Sequence, residues 1–188
     1  MLNQVLAQEV LNTALSTGGD FAEIFVEDRR DHALILQDNR LETINSGRIH
    51  GAGIRVYVGL NAVYTYTNDT DREGLLKCAK QAASAVRAQR EGIVQAKPLT
   101  VLPVEDVHPY RMLPSQTEAR KKADILRAAN AAARKVSDEI SQVTCSYKDS
   151  EQDVLICNSD GLYVTDRRVY TRLGCQGVAS SGMENQSA

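Results

Sequence analysis

The stretch Asp38–Gly59, with the sequence DNRLETINSGRIHGAGIRVYVG, decides the fold because a turn, a strand and a glycine-containing second strand follow one another without spare residues. A weaker copy lies 121 positions later, where Ala33–Leu36 corresponds to Val154–Cys157 and Gly53 to Gly174. Each copy places four apolar or thiol side chains before a tight polar turn. The turn residues and the alternation of side chains between the two faces of a strand therefore predict the same β-hairpin twice.

Helical spacing predicts three helices outside these hairpins. The first covers residues 2–17 and is followed by Gly18-Gly19, which favour a helix end. Thr70–Glu73 and Ser115–Glu118 each match a capping box, in which a hydroxyl and a glutamate satisfy free amides of the first turn. We therefore expect a second and a third helix to begin at these two sites.

Alternation with a period of two predicts the strands. They are expected at residues 21–27, 32–37, 41–47, 50–58 and 62–67, and again at 140–149, 152–158 and 162–175. The charged run Asp28–Asp31 is expected to form a turn. This order predicts an α+β fold with helices packed on a largely antiparallel sheet that contains the repeated hairpin.

The predicted domain covers residues 1–179, with possible lobes at 1–90 and 115–179. Residues 91–114 hold all four prolines, which favours an extended connector between the lobes. Residues 180–188 are polar, and we expect them to begin an interdomain loop that is cut short.

Composition limits the classes of function. The 22 basic and 24 acidic residues give a net charge of −2, which provides no field to attract nucleic acid or an anionic membrane. No apolar run approaches the roughly 20 residues of a membrane helix, and no signal peptide is evident, so a cytoplasmic protein is expected. The four cysteines form no C-x-x-C pair, and most of them are expected to be buried apolar fillers.

The candidate binding residues lie on the glycine-containing strand and the strand after it. Gly51-Ala52-Gly53 favours either a β-bulge or a face left bare for a bound peptide, because glycine within a strand marks such sites. The amphipathic side chains beside it suit contact with an extended polypeptide. The alternative is ordinary packing of the tyrosines beneath a helix and a solvated charge on the arginine. The candidate substrate-binding set is Gly51, Gly53, Arg55, Tyr57, Tyr64 and Tyr66.

The remaining polar motifs are expected to be structural. His50 is interpreted as a polar residue at a strand end. The basic groups Arg120–Lys122 and Arg167-Arg168 are interpreted as solvated faces, because acidic residues flank both.

Three motifs in order carry a resemblance to a known family: LQDNRLE at Leu36–Glu42, GAGIRV at Gly51–Val56 and AVYTYTND at Ala62–Asp69. Together they resemble the N-terminal domain of the TldD/PmbA family, historically called modulators of DNA gyrase. Asp124–Arg127 and the Asp160-Gly161 hairpin fall where the TldD branch would place them.

The resemblance implies a zinc metallopeptidase that acts on peptides or partly unfolded small proteins, as a homo- or heterodimer of related subunits. It also implies that zinc is held in a C-terminal domain by an H-E-x-x-x-H helix, a motif that this sequence lacks. His32, His50 and His108 are its only histidines, and none has another three to five residues away.

The expected function is therefore that of a non-catalytic N-terminal domain that helps to enclose substrate and form the dimer. No catalytic or metal residues are expected here, and the chain alone is predicted to be inactive and to bind no stoichiometric zinc. Zinc is expected in the full-length protein. The alternative is a protein-binding regulatory module of the gyrase-modulator type without a peptidase role. Neither interpretation involves direct contact with nucleic acid or a membrane.

Overall fold

The computed structural model describes residues 2–86, 93–105 and 108–188. The first half contains α1 (Gln4–Leu15), β1 (Phe21–Gln37), β2 (Arg40–Val58), β3 (Asn61–Thr67) and α2 (Arg72–Ala85). The second half contains β4 (Thr100–Val101), a 3-10 turn (Pro114–Gln116), α3 (Ala119–Arg134), β5 (Ile140–Asn158), β6 (Leu162–Ser181) and β7 (Glu184–Ser187). The strand order is β3-β2-β1-β5-β6-β4, with β7 paired to β6. β4 pairs with β6 in a parallel orientation, whereas β2 pairs with β3, and β6 with β7, in an antiparallel orientation. The α+β fold with a largely antiparallel sheet is confirmed.

The repeated hairpin is present at both predicted places. β1 and β2 are joined by Asp38-Asn39, and both residues have the positive φ that a tight hairpin turn of the I′ type requires. β5 and β6 are joined through residues 159–161, where Gly161 has a φ of 98°. Leu34 and Leu36 are buried before the first turn, as Leu155 and Cys157 are before the second. Equivalent positions on the strands are therefore buried in the two copies of the hairpin.

The strands are longer than predicted. Asp28–Asp31 does not form a turn but lies within β1, and the predicted breaks near residues 48–49 and 150–151 lie within β2 and β5. The charged run is extended between the neighbouring strands β2 and β5, and Arg29 Nε donates to Asp31 Oδ2 at 2.9 Å, since residues two apart share a face of a strand. A run of charged residues such as Asp28–Asp31 is therefore not sufficient to predict a turn.

Both predicted capping boxes differ from the observed helix starts. The N-cap of α2 is Asp71 rather than Thr70, because the Asp71 carboxylate accepts from the Gly74 amide at 2.7 Å. At α3 the N-cap is Glu118, which makes no side-chain cap bond. Ser115 lies in the 3-10 turn, where its hydroxyl donates to Glu151 at 2.9 Å. That longer-range bond replaces the capping box.

Two segments expected to be irregular contain short strands. Within the predicted connector, Thr100–Val101 pairs with Leu162–Tyr163; residues 91–92 and 106–107 of that connector lie outside the described residues. Near the end of the chain, β7 pairs with Val178–Ser181 around Gly182, whose φ is 62°. The secondary structure at 180–188 is therefore a hairpin rather than the expected loop.

The chain forms two compact units. Unit 1 comprises Met1–Asp28, Ile49–Val107 and Gln152–Arg167; unit 2 comprises Arg29–Arg48, His108–Glu151 and Arg168–Ala188. Neither unit is a continuous lobe such as 1–90 or 115–179. The reason is that β1, β2, β5 and β6 each supply residues to both units.

The core of unit 1 lies between its two long helices and one face of its strands. Buried residues of α1 and α2 form one cluster with alternate residues of β1 and β2: Val10, Leu11, Leu15, Ile24, Ile54, Val56, Leu75 and Ala79. In unit 2, Ala123 and Leu126 of α3 cluster with Leu34, Leu36 and Val143. Burial of these apolar side chains is the main force that holds the helices on the strands.

Candidate functional site

The uncovered face of the sheet in unit 1 carries most of the predicted binding residues. Successive strand residues point to opposite faces, so burial of Ile54 and Val56 directs Arg55 to the other side. Tyr64 and Tyr66 of β3 are exposed at 53% and 81%. We use the term open face for the side of the sheet that carries four half-buried side chains and these two exposed tyrosines: Glu23, Phe25, Arg55, Tyr57, Tyr64 and Tyr66.

Arg55 occupies a fixed position on the open face. Its Nη1 atom donates to Glu23 Oε1 at 2.9 Å, and its guanidinium lies 5.4 Å from the ring centroid of Tyr64. Its hydrogen bond to Tyr57, together with the charge of Glu23, raises the pKa of Arg55 above its usual value. Arg55 is therefore a permanently charged group with defined partners, and its side chain is still 42% exposed to solvent.

The tyrosines of β3 do not lie beneath a helix. The rings of Tyr64 and Tyr66 stack with centroids 6.5 Å apart and planes inclined by 28°. The helix lies on the other side of the strand, where the Thr65 hydroxyl donates to the Cys78 carbonyl of α2 at 3.1 Å. Packing beneath a helix is therefore wrong for Tyr64 and Tyr66, whose rings present aromatic surface to solvent.

Gly51 and Gly53 of β2 make room for neighbouring groups. The β2–β3 register runs without interruption from Ala52↔Thr67 to Val58↔Asn61, so the pairing of β2 with β3 contains no bulge at Gly53. A Cβ atom on Gly53 would lie 2.1 Å from the Tyr64 hydroxyl oxygen, and one on Gly51 would lie 2.7 Å from the Thr67 carbonyl oxygen. Gly53 thus allows the Tyr64 ring to lie across the strand.

A shallow cavity of about 270 Å³ lies at one end of the open face. Its lining includes Gly51, Gly53, Tyr64 and Tyr66, which belong to the predicted set, together with His50. Arg55 does not line it, although its guanidinium lies 5.4 Å from the Tyr64 ring centroid. Tyr57 does not line it and instead packs on Phe21 with ring centroids 5.9 Å apart. The structure thus brings four of the six predicted residues into one cavity.

His50 lies within β2 rather than at a strand end. Its Nε2 atom is 2.8 Å from the Thr70 hydroxyl, and its Nδ1 atom is 4.0 Å from the Asp28 carboxylate. Both ring nitrogens therefore face groups of unit 1. The cavity offers aromatic surface and hydrogen-bonding groups, which suit binding.

A buried ionic cluster in unit 2 was missed from the sequence. Lys122 was predicted on a solvated face, yet it is only 3% exposed, and its ammonium pairs with the fully buried Asp149 carboxylate. The other carboxylate oxygen of Asp149 is 2.9 Å from His32 Nδ1. Lys122 lies four residues before the buried Leu126, a spacing that places both on the inward face of α3. That spacing could have revealed the burial of Lys122.

Tyr147 completes the surroundings of Lys122. Its ring centroid is 5.5 Å from the Lys122 ammonium. Burial, with the nearby Asp149 charge second, raises the pKa of Tyr147 to about 12. The phenol therefore stays neutral beside the ion pair at neutral pH.

Within residues 2–86, 93–105 and 108–188, no three histidine, cysteine, aspartate or glutamate side chains are grouped so that they could hold a metal ion. His32 and Asp149 share a contact, but Asp149 also accepts from the Lys122 ammonium. A cation beside the metal position opposes zinc binding, so these residues do not fit a zinc site.

Three of the four cysteines are the buried fillers predicted: Cys78, Cys145 and Cys157. Cys175 is exposed, which agrees with the expectation that most, rather than all, of the cysteines are buried. Burial raises the pKa of the Cys145 and Cys157 thiols to about 12, which keeps both protonated at neutral pH.

Two family models match the chain. One, described as PmbA/TldA metallopeptidase domain 1, matches residues 22–86, and the other, described as PmbA/TldA metallopeptidase central domain, matches residues 113–188. The chain therefore belongs to the TldD/PmbA family. The suspected resemblance is confirmed.

Relatives in sequence and structure agree with this assignment. The chain is 23% identical to a metalloprotease TldD homolog of Haemophilus influenzae over 82% of this chain and 32% of the relative. It is 27% identical to a metalloprotease of Methanothermobacter thermautotrophicus over 87% of this chain and 35% of the relative. The chain thus spans about a third of the length of these curated relatives.

The structural relatives share the fold. A Thermotoga maritima protein described as a modulator of a DNA gyrase gives a TM-score of 0.76 at 19% identity, covering 97% of this chain and 41% of that one. TldE from Thermococcus kodakarensis gives 0.62 at 17% identity, covering 96% and 40%. None of the described helices is long and apolar enough to cross a membrane.

Proposed function

We propose that this chain is the non-catalytic N-terminal part of a TldD-like zinc metallopeptidase, and that its open face contacts and helps to enclose peptide substrate. The observation that carries the proposal is the stacked, exposed Tyr64–Tyr66 pair beside Arg55, on the sheet face that the helices leave uncovered. The family relationship supports the peptidase class, because two relatives are named metalloproteases.

The chemistry of the open face suits an extended polypeptide without a fixed sequence. A tyrosine ring offers broad contact area with only two side-chain torsions to immobilise, and its hydroxyl can bond to a peptide group. The Arg55–Glu23 pair adds a donor and an acceptor that are already oriented by each other. A peptide or partly unfolded small protein offers the matching amides, carbonyls and apolar side chains.

In this proposal zinc and the groups that activate water belong to the full-length protein. The described part of this chain has no fitting set of ligands. We further propose a cytoplasmic dimer of related subunits, identical or different. The similarity in fold to TldE and the net charge of −2, which gives no attraction to nucleic acid, support this proposal.

A second candidate function is a protein-binding regulatory module without a peptidase role. The observation that favours it is the description of the Thermotoga maritima relative as a modulator of a DNA gyrase. The open face would then bind a folded partner. This candidate requires no bound metal and no cleavage.

The test uses the full-length protein from the native gene, with unfolded casein as substrate. Chelator-sensitive cleavage with one zinc per chain is expected, whereas the 188-residue chain alone should bind no stoichiometric zinc and cleave nothing. A full-length protein without zinc or cleavage would favour the regulatory module. Zinc-dependent cleavage by the isolated chain would contradict a non-catalytic role.

The role of the open face is tested by Tyr66→Ala in the same protein. Loss of an aromatic contact worth about 1 kcal/mol should raise KM about fivefold and leave kcat nearly unchanged. Tyr110→Ala is the matched control, because Tyr110 is also exposed, at 40%, and lies outside the open face. An equal KM in the two variants would show that the open face does not contact substrate.

A further inference from the structure

Two cysteines of unit 2 approach each other across neighbouring strands. The Sγ atoms of Cys145 on β5 and Cys175 on β6 are 3.0 Å apart, although both are free thiols. The next residues along the strands are also close, since a Cβ atom on Gly174 would lie 3.0 Å from Ser146 Oγ. The cysteines therefore face each other through a local strand alignment.

We propose that Cys145 and Cys175 are a covalent modification site that forms a reversible intramolecular disulfide with a low-molecular-weight disulfide as oxidant. A disulfide has sulfur atoms about 2.05 Å apart. The sulfur atoms need to move by only about 1 Å to reach that distance, which is within reach of small side-chain rotations. β5 and β6 are already hydrogen-bonded neighbours, so the bond requires no rearrangement of the sheet.

The exposure of the two thiols sets the order of the reaction. Cys175 is exposed and can meet an oxidant, whereas Cys145 is fully buried. The Cys175 thiolate attacks one sulfur of the small disulfide, forms a mixed disulfide and releases one small thiol. The Cys145 thiol then loses its proton to solvent and attacks the Cys175 sulfur, which releases the second small thiol.

Atoms and electrons balance in this exchange. The protein loses two protons and two electrons, and with them one small disulfide becomes two small thiols. Burial raises the pKa of Cys145 to about 12, which makes it a poor nucleophile toward free reagents. Its position beside Cys175 offsets that disadvantage, because a reaction within one molecule has a high effective concentration.

The experiment treats the folded 188-residue chain with oxidised glutathione at pH 8, alkylates the remaining thiols after unfolding and maps tryptic peptides without reduction. The expected product is a link between peptides 136–148 and 173–188, which contain Cys145 and Cys175. Two of the four cysteines should then resist alkylation, and dithiothreitol should restore them.

Variants separate the two steps. Cys145→Ala should accumulate a stable glutathione adduct on Cys175, and Cys175→Ser should form neither adduct nor link. Cys78→Ala is the matched control, because Cys78 is buried in unit 1, and this variant should form the link like the parent chain. Cys175→Ser changes an exposed side chain, so it keeps the test valid if Cys145→Ala fails to fold.

Three results would overturn the proposal. They are a parent chain with both thiols unmodified, a parent chain in which the glutathione adduct persists on Cys175, and a link only between Cys175 residues of two chains.

Discussion

Replacing Lys122 with methionine should destabilise the chain strongly, because it removes the cation that compensates a buried carboxylate. The Asp149 side chain is fully buried, and its side-chain partners in unit 2 are the Lys122 ammonium and the His32 ring. Methionine keeps the length and helix propensity of lysine, so α3 itself should be unaffected. The expected loss of stability therefore measures the cost of leaving the Asp149 carboxylate without the Lys122 ammonium.

The size of the loss follows from the burial. Breaking a buried ion pair by removing one partner typically lowers the free energy of unfolding by about 3–5 kcal/mol, because a charge is left without compensation. With a urea dependence of about 2 kcal/mol per M, the midpoint should fall by about 1.5–2.5 M. The assay is urea denaturation at pH 7, followed by far-ultraviolet circular dichroism.

Two further variants make the result specific. Lys121→Met changes the exposed neighbour of Lys122 and should alter stability by less than about 0.5 kcal/mol. Lys122→Met combined with Asp149→Leu removes both charges and should recover much of the loss, as apolar replacement of a buried pair often does. A loss below about 1 kcal/mol in Lys122→Met, or a double variant less stable than the single one, would refute this reasoning.

Gly161→Ala should lower stability by about 2 kcal/mol, because alanine disfavours a φ of 98° and its Cβ would lie 2.9 Å from the Pro98 carbonyl oxygen. Gly59→Ala should lower the free energy of unfolding by only about 1 kcal/mol, because Gly59 has a φ of 56° but open space around it. Equal urea midpoints for the two variants would contradict a steric contact between residue 161 and Pro98. Stability should also fall as pH rises from 9 to about 12, since Cys157 has a pKa of about 12 when folded against 9.0 ordinarily, so the unfolded thiol ionises first. Cys157→Ala should reduce this decrease in stability with pH, as measured by urea titrations under reductant. If stability falls with pH as steeply in the variant as in the parent chain, ionisation of Cys157 is not the cause.

Local chemistry made the hairpins predictable. Asp38-Asn39 and Asp160-Gly161 are short polar sequences that tolerate a positive φ, and the apolar residues before them fix which side chains are buried. The continuity of β1 was not predictable in the same way. The run Asp28–Asp31 is polar enough for a turn, and it stays extended because each neighbouring strand supplies backbone partners that the sequence does not display.

The candidate site was predicted in part for a similar reason. Ile54 and Val56 show by alternation that Arg55 lies on the opposite face. The sequence of β3 indicates less clearly which side chains are buried, because both tyrosine and threonine suit a buried or an exposed face. This applies to Val63, Tyr64, Thr65 and Tyr66. The Lys122–Asp149 pair joins residues 27 positions apart in the sequence, so only the tertiary fold shows that the charges meet.

The composition of the open face explains how an uncovered sheet can stay available for a partner. A face of leucine or phenylalanine would favour association with other sheets, since large exposed apolar patches promote aggregation. Here the exposed rings of Tyr64 and Tyr66 carry hydroxyl groups, and the paired Arg55 and Glu23 side chains are 42% and 33% exposed, so water can solvate the face. Gly53 adds the space that lets the Tyr64 ring lie across β2. The same side chains thus keep the face soluble and offer contact area, a combination that suits reversible binding of an extended chain over permanent burial.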